Sequence, residues 1–205
     1  MQPSKLSISE LFQQREQYLI PLFQRGYVWT LTNQIMPLWE DVADRLNALK
    51  EHREDAHKIG SAEKLRPLRK HFLGAIVVGS PATFDSKAVP TREVIDGQQR
   101  ITTLQIMLLA LRDAIAPLDD PAIGDDVLSL TYNKGNYEAK KDHFKVWPTN
   151  AGRDVMQVLS SAGSMKEVCN RYPAKDKSRQ KVERPLMVQA YLFFYSMLSV
   201  RPERC

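Results

Sequence analysis

Apolar positions along this chain fall into two patterns: recurrence every three or four residues, and nearly unbroken runs. Together they set the expected elements. Ile35, Leu38, Trp39, Val42, Leu46 and Leu49 form one helical stripe, with Pro37 confined to the first turn. Ile101, Leu104, Met107, Leu108, Leu111 and Ile115 form a second, stopped by Pro117 and the stretch Asp119-Asp120-Pro121. Leu186, Ala190, Phe193, Phe194 and Met197 mark a third within 183–200, after shorter helices at 152–161 and 164–171. A first short helix runs from Ser7 to Gln14, where Ser7 and Glu10 have capping-box spacing. The run from His71 to Gly79 predicts a central strand, and Thr91 to Asp96 a second strand ending at Asp-Gly. Tyr18 to Pro21 predicts a short strand. Leu128–Tyr132 and His143–Trp147 predict two more, joined through Asn133-Lys134-Gly135-Asn136. Residues 24–29 read as an aromatic and cationic loop, and residues 51–70 as a charged surface connection. The fold class is α+β: a small sheet with packed helices over residues 1–117, then a mainly helical lobe over 124–205, divided near Pro117–Gly124.

Composition sharpens this picture only in places. With 43% hydrophobic residues in 205, the chain can bury a core of ordinary size. Polar residues interrupt the apolar stretch 101–115, so no membrane span is expected. The start, Met1-Gln2-Pro3-Ser4-Lys5, has no signal-peptide apolar region. Cys169 and Cys205 make no disulfide framework, and a cytoplasmic setting is expected. His52, His57, His71 and His143 lack paired ligands at zinc spacing. A net charge of +5 favours polyanionic partners, nucleotides or nucleic acid. One basic group lies at Lys58, Lys64, Arg66, Arg69 and Lys70. The other, from Lys166 to Arg184, reads as a solvated loop.

The chemistry concentrates at Val94-Ile95-Asp96-Gly97-Gln98-Gln99-Arg100. A strand delivers Asp96, Gly97 permits a tight turn, and the following helix presents unpaired N–H groups and the positive end of its dipole. Arg100 adds a planar cation suited to phosphate oxygens. Gln98 and Gln99 can bond a phosphate or orient a water, and Thr102 and Thr103 place hydroxyls near the first turn. An anion site and a plain structural turn both fit these residues. In the second reading Asp96 caps the helix and Arg100 pairs with Asp113 or Glu93.

The segment Val94 to Leu104 resembles the signature of the N-terminal domain of GmrSD-type modification-dependent restriction enzymes. Three further stretches agree in order: Ile20-Pro21 with Gln24-Arg25-Gly26-Tyr27-Val28-Trp29; Leu38-Trp39-Glu40-Asp41-Val42; and His71-Phe72-Leu73-Gly74-Ala75-Ile76. The resemblance is strong over residues 5–115 and weaker through Lys145-Val146-Trp147-Pro148-Thr149 and Ala190-Tyr191. It implies a fold related to ParB and sulfiredoxin, a nucleoside-triphosphate site, and hydrolysis coupled to handling foreign or modified DNA. Arg100 would stabilise the transferring phosphoryl group, and Asp96 would hold Mg²⁺ or orient the attacking water. Gln98 and Gln99 would position phosphate or water. Gln24, Arg25, Tyr27, Gly97, Thr102, Thr103 and His71 would complete the nucleotide site. Trp29 is expected in the core against Trp39, with Tyr27 facing the site; for His71 the cleft and the strand-end surface are equal alternatives. The implied partners are DNA and an HNH-type nuclease domain or subunit, since no nuclease motif is present. A homo-oligomer is compatible with this reading, and a membrane is not a partner in it. The chain would be part of a longer enzyme or work with a separate nuclease. A non-hydrolysing nucleotide- or DNA-binding switch, and a DNA-binding scaffold, are the rival classes.

Overall fold

A computed structural model describes residues 3–59, 68, 70–80, 88–137, 139–176 and 178–199. The fold is α+β, as the patterning predicts. Its helices are α1 (Ile8–Gln13), α2 (Met36–Ile59), α3 (Gln98–Ile115), α4 (Pro121–Thr131), α5 (Asn150–Ser161), α6 (Met165–Arg171) and α7 (Leu186–Leu198). Its strands are β1 (Gln17–Leu19), β2 (Val77–Val78), β3 (Thr91–Asp96) and β4 (Val146–Trp147). The strand order is β2-β3-β1-β4; β1 runs parallel to both β3 and β4, and β2 is antiparallel to β3.

Two compact units make up the chain: residues 29–74, and residues 1–28 with 75–205. The first is built on α2, entered through a π-helical turn at Leu31–Ile35. Of its described residues only Ile35 is fully buried, and Leu46 is largely exposed. Trp29, expected in the core, is only partly buried. Residues 51–59, expected as an irregular connection, continue α2 instead. Glu51, Arg53, Glu54, Ala56 and Lys58 are helix formers that need no apolar stripe, and Lys58 lies 3.5 Å from Asp55 one turn back. The remainder of that stretch lies largely outside the described residues. His71 is exposed and approaches Asp41, with Nε2 3.3 Å from the carboxylate.

The second unit holds the sheet and the core. Its organiser is α3, whose residues from Ile101 to Ala110 are all buried. It packs against α7 and α4, and also against α5, α6 and β4. A buried polar group locks this packing. The Tyr191 hydroxyl donates to Asp113 at 2.6 Å, and Arg112 donates to the same carboxylate at 2.7 Å and to the α5 carbonyls of Ser160 and Leu159. The segment Gln98–Leu118 is long and apolar enough to cross a bilayer by length and composition, which the interrupting polar residues did not lead one to expect; 67% of its most apolar window is buried inside the fold, as in a core helix. The boundary expected at Pro117–Gly124 lies inside this unit, at a 3-10 turn over Ala116–Leu118 and the start of α4.

Two strand expectations are corrected. The apolar run 71–79 contributes only Val77–Val78, at the sheet edge rather than its centre. Gly74 breaks the extended run at φ 105°, and Phe72 is 79% exposed. Leu128–Tyr132 is the end of α4, not a strand. The stronger signal lay upstream: Pro121 opens the helix while Asp120 accepts from the amides of Ala122 and Ile123, and Val127 and Thr131 then bury one face. The α1 capping box forms as expected, with Glu10 and Ser7 bonding each other's backbone amides.

Candidate anion site at two helix N-termini

β3 reaches the site less buried than its sequence suggests. Val94 is the buried residue; Ile95 and Asp96 are exposed. Gly97 then turns the chain at φ 87°, a left-handed conformation that favours glycine. A methyl group there would lie 2.9 Å from the Ala75 carbonyl oxygen and 3.0 Å from the Ile76 Cα. So the turn both bends left-handed and packs directly on the chain entering β2. Gly97, the N-cap residue of α3, has no side chain to cap it, and among the described residues no other side chain does, which leaves the first amides open to a ligand.

Three glutamines strap the loop after β1 to this junction. Gln24 donates to the carbonyls of Val94 (2.8 Å) and Ile95 (3.2 Å). Gln98 donates to the Arg25 carbonyl at 3.3 Å. Gln99, 7% exposed, uses both ends of its amide: it accepts from the Val28 N–H and donates to the Gly26 carbonyl, each at 2.9 Å. The Thr103 hydroxyl donates to the Gln99 carbonyl at 2.8 Å, so the 2.7 Å contact with Tyr27 is a bond donated by the phenol. Burial pushes the Tyr27 phenol up to about 12, against the lowering effect of its bond to Thr103, so it remains a neutral donor.

The strapped loop forms one wall of a small cleft. Its polar lining is Arg25, Tyr27, Gln98, Gln99, Thr102 and Thr149. Ile20, Pro148 and Met187 make the apolar remainder, and Gly152 completes the wall. The space admits about one water-sized group. Arg25 is exposed and makes no ion pair among the described residues. Asp96, Gly97, Arg100, Thr103 and Gln24 do not line this cleft. The Arg100 guanidinium donates to the Ala75 carbonyl instead. It has no acidic partner among the described residues, and Asp113 is taken by Arg112 and Tyr191. The plain structural reading of Arg100 as an ion-pair partner of Asp113 or Glu93 is therefore not what the fold adopts.

One wall went unread in the sequence. Thr149 and Gly152 belong to the start of α5, far along the chain from the Asp-Gly turn. A Cβ on Gly152 would meet Pro148 at 3.3 Å and the Met187 sulfur at 3.4 Å, so glycine keeps this corner open. The only sequence cue was the Trp147-Pro148-Thr149 stretch. Among the described residues, no group of three or more metal-ligating side chains assembles.

A family model described as "GmrSD restriction endonuclease, N-terminal domain" matches residues 8–203. No curated protein matches the chain.

Proposed function

The chain belongs to the family of GmrSD restriction endonuclease N-terminal domains, and on that premise we propose that it binds and hydrolyses a nucleoside triphosphate within a restriction system. The observation that carries this reading is the uncapped N-terminus of α3 beside two arginines, Arg25 and Arg100, that lack acidic partners among the described residues. Helix amides and guanidinium groups fixed before the reaction are what phosphoryl transfer requires, because its transition state gathers charge on oxygens. Arg25, exposed at the edge of the cleft, meets phosphate oxygens from the solvent side. Arg100, on the first turn of α3, swings from the Ala75 carbonyl to the transferring group. Asp96 supplies an exposed carboxylate at the strand end, to the attacking water or to Mg²⁺. A Mg²⁺ bound mainly through phosphates and water needs only one or two protein carboxylates, so a lone Asp96 fits it; the ion would neutralise phosphate charge.

Turnover of the four nucleoside triphosphates with Mg²⁺ tests the assignment. Arg100→Ala and Asp96→Ala should each lower phosphate release at least about tenfold, as expected for loss of a charged group from a phosphoryl-transfer site. Full activity and affinity in both variants would rule it out. A second reading, a switch that binds nucleotide without hydrolysing it, draws support from one observation: Gln98 and Gln99 are committed to the loop and not free to orient water. Tight binding without phosphate release would favour that switch. In either case the cutting of modified or foreign DNA would fall to an HNH-type nuclease domain or subunit, with this chain as its nucleotide-dependent regulator in the cytoplasm.

A further inference from the structure

From Lys166 to Arg184 the chain has seven basic and three acidic residues, a surplus of four in a protein whose net charge is +5. The rest of the molecule is therefore close to neutral. Composition alone reads this stretch as a solvated loop, yet the fold builds a hairpin from its centre. The Val182 N–H donates to the Ala174 carbonyl and the Asp176 N–H to the Gln180 carbonyl, each at 2.9 Å. Between these bonds Lys175 stands directly opposite Lys181 in an antiparallel bridge. The tip closes on itself: the Arg179 N–H donates to the Asp176 carbonyl at 3.0 Å, and the Asp176 carboxylate accepts from the Gln180 N–H at 2.9 Å. Arg184 anchors the base, donating to the Tyr172 carbonyl at 2.7 Å. Lys177 lies outside the described residues.

What this hairpin holds out is cationic. Lys175, Arg179 and Lys181 are exposed, and none has an ion-pair partner among the described residues. The hydrogen bonds flank the Lys175–Lys181 pair rather than join it, an arrangement in which opposed side chains share one face with Cβ atoms about 4.5–5.5 Å apart. Like charges so placed repel and weaken the hairpin that presents them. Arg179 adds a third cation at φ 64°, a left-handed position that glycine or asparagine adopts more easily. A polyanion relieves this repulsion. Its class follows from what else the tip carries. No aromatic or large aliphatic side chain stands between Asp176 and Gln180 to enter a lipid surface. Ser178 and Gln180 are exposed and can donate to phosphate oxygens. A two-stranded ribbon also fits the major groove of duplex DNA, whereas that of duplex RNA is too deep and narrow. We propose that the hairpin over residues 174–182 is a DNA-binding finger, with Lys175, Arg179 and Lys181 against the phosphates of a DNA duplex. The inference shares with the proposed function the restriction setting alone, and needs neither nucleotide binding nor hydrolysis.

Fluorescence anisotropy of a labelled DNA duplex, titrated with the whole chain over about 50 to 200 mM salt and without nucleotide, tests the finger. Combining Lys175→Gln, Arg179→Gln and Lys181→Gln should lower the slope of log affinity against log salt by about 2–3, since each lost phosphate contact removes roughly 0.9. The loss should be the same for unrelated duplex sequences. All three side chains are exposed, so this variant should melt with the wild-type protein and match it in phosphate release from nucleotide. A chain that releases no phosphate would sink the hydrolysis and leave the DNA titration standing. Lys175→Arg with Lys181→Arg keeps the charge and should keep the wild-type slope, which holds the test sound if glutamine disturbs the hairpin. As a control, Lys134→Gln, Lys140→Gln and Lys141→Gln remove the same net charge from exposed residues ahead of β4 and should leave the slope nearly unchanged. An equal loss in that control would reduce the effect to net charge and overturn the finger. So would a wild-type chain that binds no duplex at the lowest salt, or hairpin-dependent binding that favours duplex RNA or phosphatidylserine vesicles over DNA.

Discussion

Gln99 shows how far one side chain can serve two neighbours. Its primary amide matches the donor and acceptor of the passing backbone, accepting from Val28 and donating to Gly26. Leucine has nearly the same volume but offers neither group. Gln99→Leu should therefore lower stability by about 1–3 kcal/mol, the cost of leaving such part-buried backbone groups unsatisfied. Urea denaturation measures it, and an unchanged midpoint would mean that water replaces the amide without loss. The sequence placed Gln99 correctly at the start of a helix but could not choose among its partners. An amide beside an anion site can face ligand, water or chain with equal chemical sense. Only the course of residues 24–28 in space makes that choice.

At the scale of elements, the β3–α3 junction depends on one missing atom. Gly97→Ala would combine a left-handed backbone with a Cβ 2.9 Å from the Ala75 carbonyl oxygen. We expect a loss of at least about 1–2 kcal/mol, with the larger share from backbone contact that cannot rotate away. Thermal unfolding of this variant tests the point; a midpoint within a degree of wild type would contradict it. This junction was legible because its cues are local: a strand pattern, Asp-Gly, and a helical stripe. Other elements were not. The run 71–79 has strand composition, yet a strand needs neighbours, and only Val77 and Val78 find one. Leu128–Tyr132 looks like a strand when read alone and like a helix end when read from Asp120-Pro121. The α5 wall of the cleft escaped altogether, because nothing within a few residues of Thr149 reveals that α3 lies opposite.

Stability of the whole molecule should depend on pH through Lys145. This lysine is 2% exposed, and its ammonium donates to the Gln14 carbonyl at 2.7 Å. Burial lowers its pKa from 10.5 to about 8, against the opposing influence of Glu16. Between those two values the unfolded chain holds a proton that the folded chain has released. Stability contributed at this position therefore rises with pH across the window from about 8 to 10.5, by at most ~1.4 kcal/mol per pH unit. Below about 8 the folded protein carries the full cost of a buried charge. The difference in unfolding free energy between wild type and Lys145→Met, measured by urea at pH 7, 8.5 and 10, should shift in favour of wild type as pH rises. A flat difference would contradict the assignment.

The burial of α3 has a consequence during synthesis. This helix is as apolar as a membrane span, and a principal packing partner is α7. Gln98–Ile115 leaves the ribosome well before Leu186–Leu198 has been made. At roughly 5–20 residues per second, that interval lasts several seconds. For that time the nascent chain presents its stickiest surface without the element that finally hides it. Chaperone capture and co-translational aggregation compete in this interval, so the yield of native protein depends on elongation rate as well as on the free energy of the finished fold.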